Sequence, residues 1–169
     1  IELLERSTAI VPLPDTVAAL GDLYRLTGRE RDAATQYATV RAIGTVAAAS
    51  GPVYDRALTM FELDHGGDPS VALARAEAEL EKRGDVFGHD VVAWGLYANG
   101  RMDEADRAIG LALSLDTRDA LIRYHAGMIA AAVGDDGRAW DLLGESLDLG
   151  LGIDPVAAER ARTILATLD

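Results

Sequence analysis

The sequence predicts an all-α fold in which about four pairs of antiparallel helices stack into an α-solenoid. A glycine followed five residues later by an alanine recurs along the chain, as Gly28/Ala33, Gly67/Ala72, Gly100/Ala105 and Gly134/Ala139. These glycines lie 39, 33 and 34 residues apart, a period typical of stacked helical hairpins. Apolar residues follow helical rather than alternating spacing. With 169 residues, 49% of them hydrophobic, the chain is large enough to bury a core.

The elements follow in chain order from the same pattern. Residues 1–11 predict a short helix, the remnant of an earlier hairpin, which the prolines at 12 and 14 end. Four hairpins are predicted over residues 14–50, 52–84, 86–117 and 119–150, the second of them irregular. A C-terminal capping helix is predicted over 155–168, where an apolar stripe faces a polar one. The whole chain is therefore expected to be a single array.

The residues at the helix ends support these boundaries. Each repeated glycine fits the position after a helix, where a left-handed backbone conformation costs least without a Cβ. Asp68-Pro69 and Asp154-Pro155 predict an N-cap followed by proline at the first helical position. Asp119 is predicted to cap the first helix of the fourth hairpin.

The hairpin pattern resembles the tetratricopeptide repeat (TPR). The matching residues are Pro14, Leu20, Gly21, Tyr24, Ala33 and Tyr37 in the first hairpin, Val92, Ala93, Leu96, Ala105, Ile109 and Ala112 in the third, and Ala126, Gly127, Ala130, Ala139 and Leu143 in the fourth. The resemblance implies a right-handed superhelix in which small residues let the two helices of a hairpin approach closely. The second hairpin departs from the TPR pattern. If Gly67 is its turn glycine, Met60 occupies a position that the pattern gives to a small residue. The register of its first helix is open by one residue.

Composition excludes several classes of function. The formal net charge is −12 and the pI is about 4.6, which argues against a nucleic-acid ligand and against an anionic membrane surface. The chain has no cysteine, so disulfides and thiolate metal sites are excluded. No segment approaches the roughly 20 apolar residues that cross a bilayer. A cytoplasmic location is favoured, with a targeting segment before Ile1 left open.

The acidic chain carries sixteen lysines and arginines, of which only Lys82 is a lysine. Together with abundant alanine, aspartate and glycine, this bias suggests a GC-rich bacterial genome.

The resemblance implies a peptide-binding face formed by the first helix of each hairpin. Ten residues are predicted to line it: Tyr54, Phe61, Asp64, Phe87, Asp90, Trp94, Tyr97, Tyr124, His125 and Met128. Aromatic side chains and methionine would anchor apolar groups of the ligand, and the carboxylates would attract a basic residue. The lysines and asparagines that grip chaperone C-termini in some TPR domains are missing from this face. An apolar stripe at helical spacing is equally typical of packing between neighbouring repeats, so exposed and buried arrangements both stay open.

No catalytic, metal or cofactor site is predicted. The adjacent pairs Asp64-His65 and His89-Asp90 point about 100° apart on a helix, so neither pair shares a face. The histidines have neither i, i+4 spacing nor a metalloprotease motif. The expected function is a non-enzymatic scaffold that binds a protein or peptide, with a monomer favoured. A regulatory or sensory appendage that packs on an upstream domain, and a self-associating module, remain alternatives.

Overall fold

The computed structural model describes residues 1–50 and 55–168, and it confirms the all-α prediction. Within these residues the chain forms ten α-helices and one 3₁₀ turn, and no strand. The helices are α1 (Glu2–Ile10), α2 (Pro14–Leu26), α3 (Glu30–Ser50), α4 (Asp55–Asp64), α5 (Pro69–Leu80), α6 (Val86–Ala98), α7 (Met102–Ala112), α8 (Ala120–Ala132), α9 (Asp136–Asp148) and α10 (Pro155–Leu168), with the 3₁₀ turn at Leu151–Ile153.

The chain divides into two compact units. Unit 1 is Ile1–Gly67 and contains α1 to α4, and unit 2 is Asp68–Asp169 and contains α5 to α10. The division falls between α4 and α5, inside the second predicted hairpin. The two units are therefore described separately.

Unit 1 is built around the packing of α2 on α3, with α4 against both. Its main core consists of Val17, Ala18, Val40, Leu58 and Phe61, which come from all three of these helices. A second cluster of Leu20, Tyr24 and Ala33 packs against Leu4 of α1. The main core of unit 1 therefore lies where α2, α3 and α4 meet.

The turns after α2, α6 and α8 share one backbone structure. Gly28, Gly100 and Gly134 have φ values of 75°, 73° and 82°. The next residue donates its N–H to the carbonyl five residues earlier, as Asp135 does to Ala130 at 2.9 Å. These are the bonds of a Schellman motif, which satisfies the last carbonyls of a helix. The predicted role of these three glycines is confirmed.

The turn after α4 corrects the predicted register. The left-handed residue is Gly66, with φ 78°, and the N–H of Gly67 donates to the carbonyl of Glu62 at 2.7 Å. The prediction that Gly67 is the turn glycine was therefore wrong. With Gly66 in that role the glycine spacings become 38, 34 and 34 residues. Thr59, which is fully buried, replaces Met60 at the small-residue position, so the mismatch at that position disappears. Ala72 now follows the turn glycine by six residues instead of five.

Unit 2 stacks its helices in sequence, with α6 on α7 and α8 on α9 as its closest pairs. Ala105 and Ala139 are both fully buried. They are the repeat alanines that pair with the small residues Ala93 of α6 and Gly127 of α8. The predicted caps are confirmed. Asp119 accepts from the N–H groups of residues 121 and 122, and Asp68 and Asp154 each accept from two N–H groups at the start of α5 and α10.

Candidate functional site

The residues predicted to line the binding face of unit 2 form two facing stripes. Phe87, Asp90, Trp94 and Tyr97 lie on one side of α6, and Tyr124, His125 and Met128 lie on one side of α8. The stripes meet where His125 Nδ1 lies 2.8 Å from Asp90 Oδ1. The packing of α6 against α8 therefore brings the predicted residues of unit 2 together.

Aromatic rings extend this contact along the two helices. Trp94 stacks on His125 with ring centroids 4.2 Å apart, and on Tyr97 with centroids 4.7 Å apart. Tyr124 packs at an angle against Trp94, 5.8 Å between centroids. We call Asp90, Trp94, Tyr124 and His125 the aromatic seam.

The aromatic seam is buried rather than open. The exposed fractions are 4% for Asp90 and Trp94, 2% for Tyr124 and 1% for His125. Side chains this enclosed pack the helices together and present little surface to a ligand. Of the two arrangements that the sequence left open, these four residues take the buried one. Their neighbours are more accessible: Phe87 is 43% exposed, while Tyr97 and Met128 are half-buried. The outer members of the stripes therefore form the accessible part of the predicted face, which we call the α6/α8 patch.

In unit 1 the predicted residues have different surroundings. Phe61 is 4% exposed and belongs to the core around Val17 and Val40. The corrected register explains this position, because shifting α4 by one residue moves Phe61 off the face that the resemblance places inside. Asp64 is exposed. Tyr54 lies outside the described residues.

A second cluster lies in unit 1, and Phe61 is its only member from the predicted set. His65 Nε2 is 3.1 Å from Asp22 Oδ1, and Tyr37 donates its hydroxyl to the same oxygen at 2.7 Å. The His65 ring stacks on Phe61 and packs at an angle on Tyr37, with centroid distances of 4.4 and 4.8 Å. We call Asp22, Tyr37, Phe61 and His65 the His65 cluster. It joins α2, α3 and the end of α4.

The hydrogen bonds of the His65 cluster perturb its three ionisable groups. Burial by itself would raise the pKa of Asp22, but the bonds from His65 and Tyr37 outweigh it and hold that pKa below its usual value. Burial would likewise lower the pKa of His65, and the bond to Asp22 reverses the direction and raises it. Burial and the bond to Asp22 both raise the pKa of Tyr37. The shifts of Asp22 and His65 favour a carboxylate beside a protonated ring, and the shift of Tyr37 keeps its hydroxyl protonated as a donor.

The histidine partners differ from those that adjacency suggested. Neither Asp64-His65 nor His89-Asp90 forms the observed pairs, which are Asp22 with His65 and Asp90 with His125. These partners lie 43 and 35 residues apart. One repeat period places two residues on neighbouring first helices, so an aspartate and a histidine about one period apart were the signal available in the sequence.

A polar cavity in unit 2 contains ion pairs. A cavity of about 330 Å³ is lined by Asp116, Arg118, Arg123, Glu145, Asp148 and Leu149. Arg123 is already paired there with Asp116 at 2.7 Å and Glu145 at 2.9 Å. Across the described residues of both units, no group of three or more histidines and carboxylates is arranged to hold a metal ion. In that same part of the chain, no helix combines the length and apolar character that a membrane span requires.

The helical hairpins, their Schellman turns and their small contact residues define a TPR-like helical repeat fold. A similar solved structure is that of a thermophilic TPR protein from Thermus thermophilus, which is 18% identical in sequence. The match has a TM-score of 0.59 and covers 92% of this chain and 80% of that one. No protein-family model and no curated protein matches the sequence. The likeness shows the fold.

Proposed function

We propose that this chain is a non-enzymatic scaffold that binds a protein or peptide through the α6/α8 patch of unit 2. The observation that carries the proposal is Phe87, an aromatic side chain that stays 43% exposed at one end of the buried aromatic seam. Tyr97 and Met128 lie half-buried on the same two stripes. Accessible aromatic and methionine side chains on a rigid helical surface are typical anchors for a peptide.

The proposal gives the buried and accessible residues different roles. The aromatic seam fixes α6 against α8, because Trp94 and His125 stack and His125 bonds to Asp90. The accessible side chains then contact the ligand from a surface that is already ordered, which lowers the entropy lost on binding. The net charge of −12 favours a ligand that combines apolar side chains with basic ones.

A non-enzymatic role is supported by the burial of both histidine–aspartate pairs. His125 and Asp90 side chains are 1% and 6% exposed, and those of His65 and Asp22 are 12% and 11% exposed. General acid–base catalysis needs a group within hydrogen-bond reach of a substrate proton. Groups enclosed between helices and already bonded to each other are poorly placed for that work.

A displayed library of random 12-residue peptides, selected on the full chain, tests the binding proposal. Selected peptides are then measured by fluorescence anisotropy against the wild type, Phe87→Ala and Trp140→Ala. Trp140 is a matched control, since it is an aromatic residue with 42% exposure on α9, outside the proposed patch. Loss of an exposed anchor typically costs about 1 to 2 kcal/mol of binding, so Phe87→Ala should weaken binding about tenfold while Trp140→Ala leaves it unchanged. Peptides that depend on Trp140 instead, or on neither residue, would contradict the proposed patch.

Self-association is a second candidate, which one observation in unit 1 favours. Leu3 and Ile10 of α1 are 80% and 81% exposed, and α1 contains no buried residue. Apolar side chains seven positions apart share one face of a helix, so α1 presents an apolar stripe. Sedimentation equilibrium of the wild type and a Leu3→Gln/Ile10→Gln variant tests this function. A concentration-dependent dimer that the variant abolishes supports it, and a monomer at all concentrations rules it out.

A further inference from the structure

We propose that protonated His65 is a pH-sensitive switch in unit 1 that holds the end of α4 against α2 and α3, and that loss of its proton as the pH rises loosens α4. The switch lies in the His65 cluster, apart from the α6/α8 patch, so it goes beyond the proposed binding function.

The contacts of both His65 ring nitrogens suit a doubly protonated ring. Its Nδ1 lies 2.9 Å from the carbonyl oxygen of Phe61, and its Nε2 lies 3.1 and 3.3 Å from the two carboxylate oxygens of Asp22. A carbonyl and a carboxylate oxygen only accept hydrogen bonds. Both contacts are therefore hydrogen bonds only when both ring nitrogens carry a proton. A neutral ring has one N–H and leaves one of the two contacts without a donor.

The charged groups around the ring come from each of the three helices that meet there. From α2, Asp22 faces Nε2, and Arg25 lies 3.4 Å from Asp22. From α3, Tyr37 donates to Asp22, and Arg41 donates to the backbone carbonyl of His65 at 3.3 Å.

On α4 itself, the carboxylate of Asp64 adjoins His65 and favours the charged ring. When His65 loses its proton, Asp22 keeps Tyr37 and Arg25 as partners, but its only link to α4 within the His65 cluster is weakened. The change therefore acts on the attachment of α4 rather than on the α2–α3 pair.

The direction of the pH dependence follows from the two shifts. The pKa of His65 is raised above its ordinary 6.5, so its contribution to stability is fully present below pH 6.5 and is lost as the pH rises through the native pKa. The pKa of Asp22 is lowered below its ordinary 3.8. Its contribution is present above pH 3.8 and is lost as the pH falls through the native pKa. The α4 attachment is therefore strongest between these two limits, and the alkaline side is the one nearer physiological pH.

An NMR titration of the full chain tests the first half of the proposal. The chain has three histidines, and the His65 ring signal is assigned as the one missing from His65→Gln. We expect the measured pKa of His65 to exceed 6.5 in the wild type and to fall in Asp22→Asn, because the neutral amide no longer favours the charged ring. A wild-type pKa at or below 6.5 overturns the proposal, whether or not Asp22→Asn folds.

Hydrogen exchange of the α4 amides between pH 6 and pH 9 tests the second half. After correction for the intrinsic exchange rate, the opening constant of α4 should rise by about tenfold for each pKa unit that separates native from unfolded His65. His65→Gln keeps one N–H for Asp22 and does not titrate, so its α4 opening should stay flat. Effects of the other two histidines cancel in this comparison. Wild-type opening that is flat, or that rises equally in His65→Gln, overturns the proposal.

His89→Gln is the matched control for the substitution itself. His89 lies on α6 of unit 2 and is half-buried, so its replacement should leave the pH dependence of α4 at the wild-type value. A loss of that dependence in His89→Gln as well would show that the response does not belong to His65.

Discussion

Replacing Gly127 by alanine tests a close helix contact in unit 2. A Cβ at this position of α8 would lie 2.6 Å from Leu143 Cγ, 2.8 Å from its Cδ2 and 3.1 Å from its backbone nitrogen. Leu143 is fully buried on α9, and the backbone contact means that rotating its side chain is not enough to make room. The two helices must therefore move apart to accept the methyl group.

The size of the effect is a difference between two opposing contributions. Alanine is more favourable than glycine inside a helix by about 1 kcal/mol. Overpacking a well-filled core costs about 1 to 3 kcal/mol. The backbone contact places Gly127 near the upper end of that range, so we expect a net loss of about 2 kcal/mol in the free energy of unfolding.

Urea denaturation followed by tryptophan fluorescence is the suitable assay. Both tryptophans of the chain, Trp94 and Trp140, lie in unit 2, so the signal reports the unfolding of that unit. Gly110→Ala on α7 is the matched control, because nothing lies within 4 Å of a Cβ there; it should raise stability by about 0.5 to 1 kcal/mol. If Gly127→Ala matches or exceeds the wild type while the control behaves as expected, the reasoning about close helix approach is refuted.

Two further substitutions test the seam and a helix cap. Trp94→Ala removes a side chain that is 4% exposed and should destabilise unit 2 by about 3 to 5 kcal/mol. Circular dichroism should show this loss as a lower thermal midpoint. An unchanged midpoint would show that the ring is not part of the core. Asp119→Ala removes the acceptor for two N–H groups at the start of α8 and should cost about 1 kcal/mol in urea unfolding, with Asp119→Asn restoring most of it. An asparagine variant as unstable as the alanine variant would argue against capping.

Local turn chemistry explains why the hairpins were predictable from sequence. A left-handed residue after a helix is specified by the glycine itself, so Gly28, Gly100 and Gly134 were identified without knowledge of the packing. Gly66-Gly67 offered two candidates, and the constant spacing to Ala72 selected the wrong one. The turn before α5 contains one additional residue, which the left-handed backbone of Gly66 and the hydrogen bond from Gly67 to Glu62 reveal.

The candidate site was less predictable because exposure depends on what covers a face. Helical spacing placed Trp94 and Phe87 on one side of α6, and this placement is the same whether that side is open or covered. In the structure Trp94 is covered, with 4% of its surface exposed, whereas Phe87 is open, with 43% exposed. The partner of His65 was missed for a related reason, since the register of α4 had to be known before Asp22 could be placed opposite it.

Each unit joins the first helices of two successive hairpins through a buried histidine–aspartate pair, and we infer that the pairs fix how those helices align. Apolar stripes allow neighbouring helices to slide, whereas one directional bond such as Asp90 to His125 selects a single alignment, at a cost in desolvation. The pairs differ in access to solvent. The His125 side chain is 1% exposed and that of His65 is 12% exposed. A proton reaches the more exposed ring of His65 with less disruption of the core, which suits the contact in unit 1 to a response to pH.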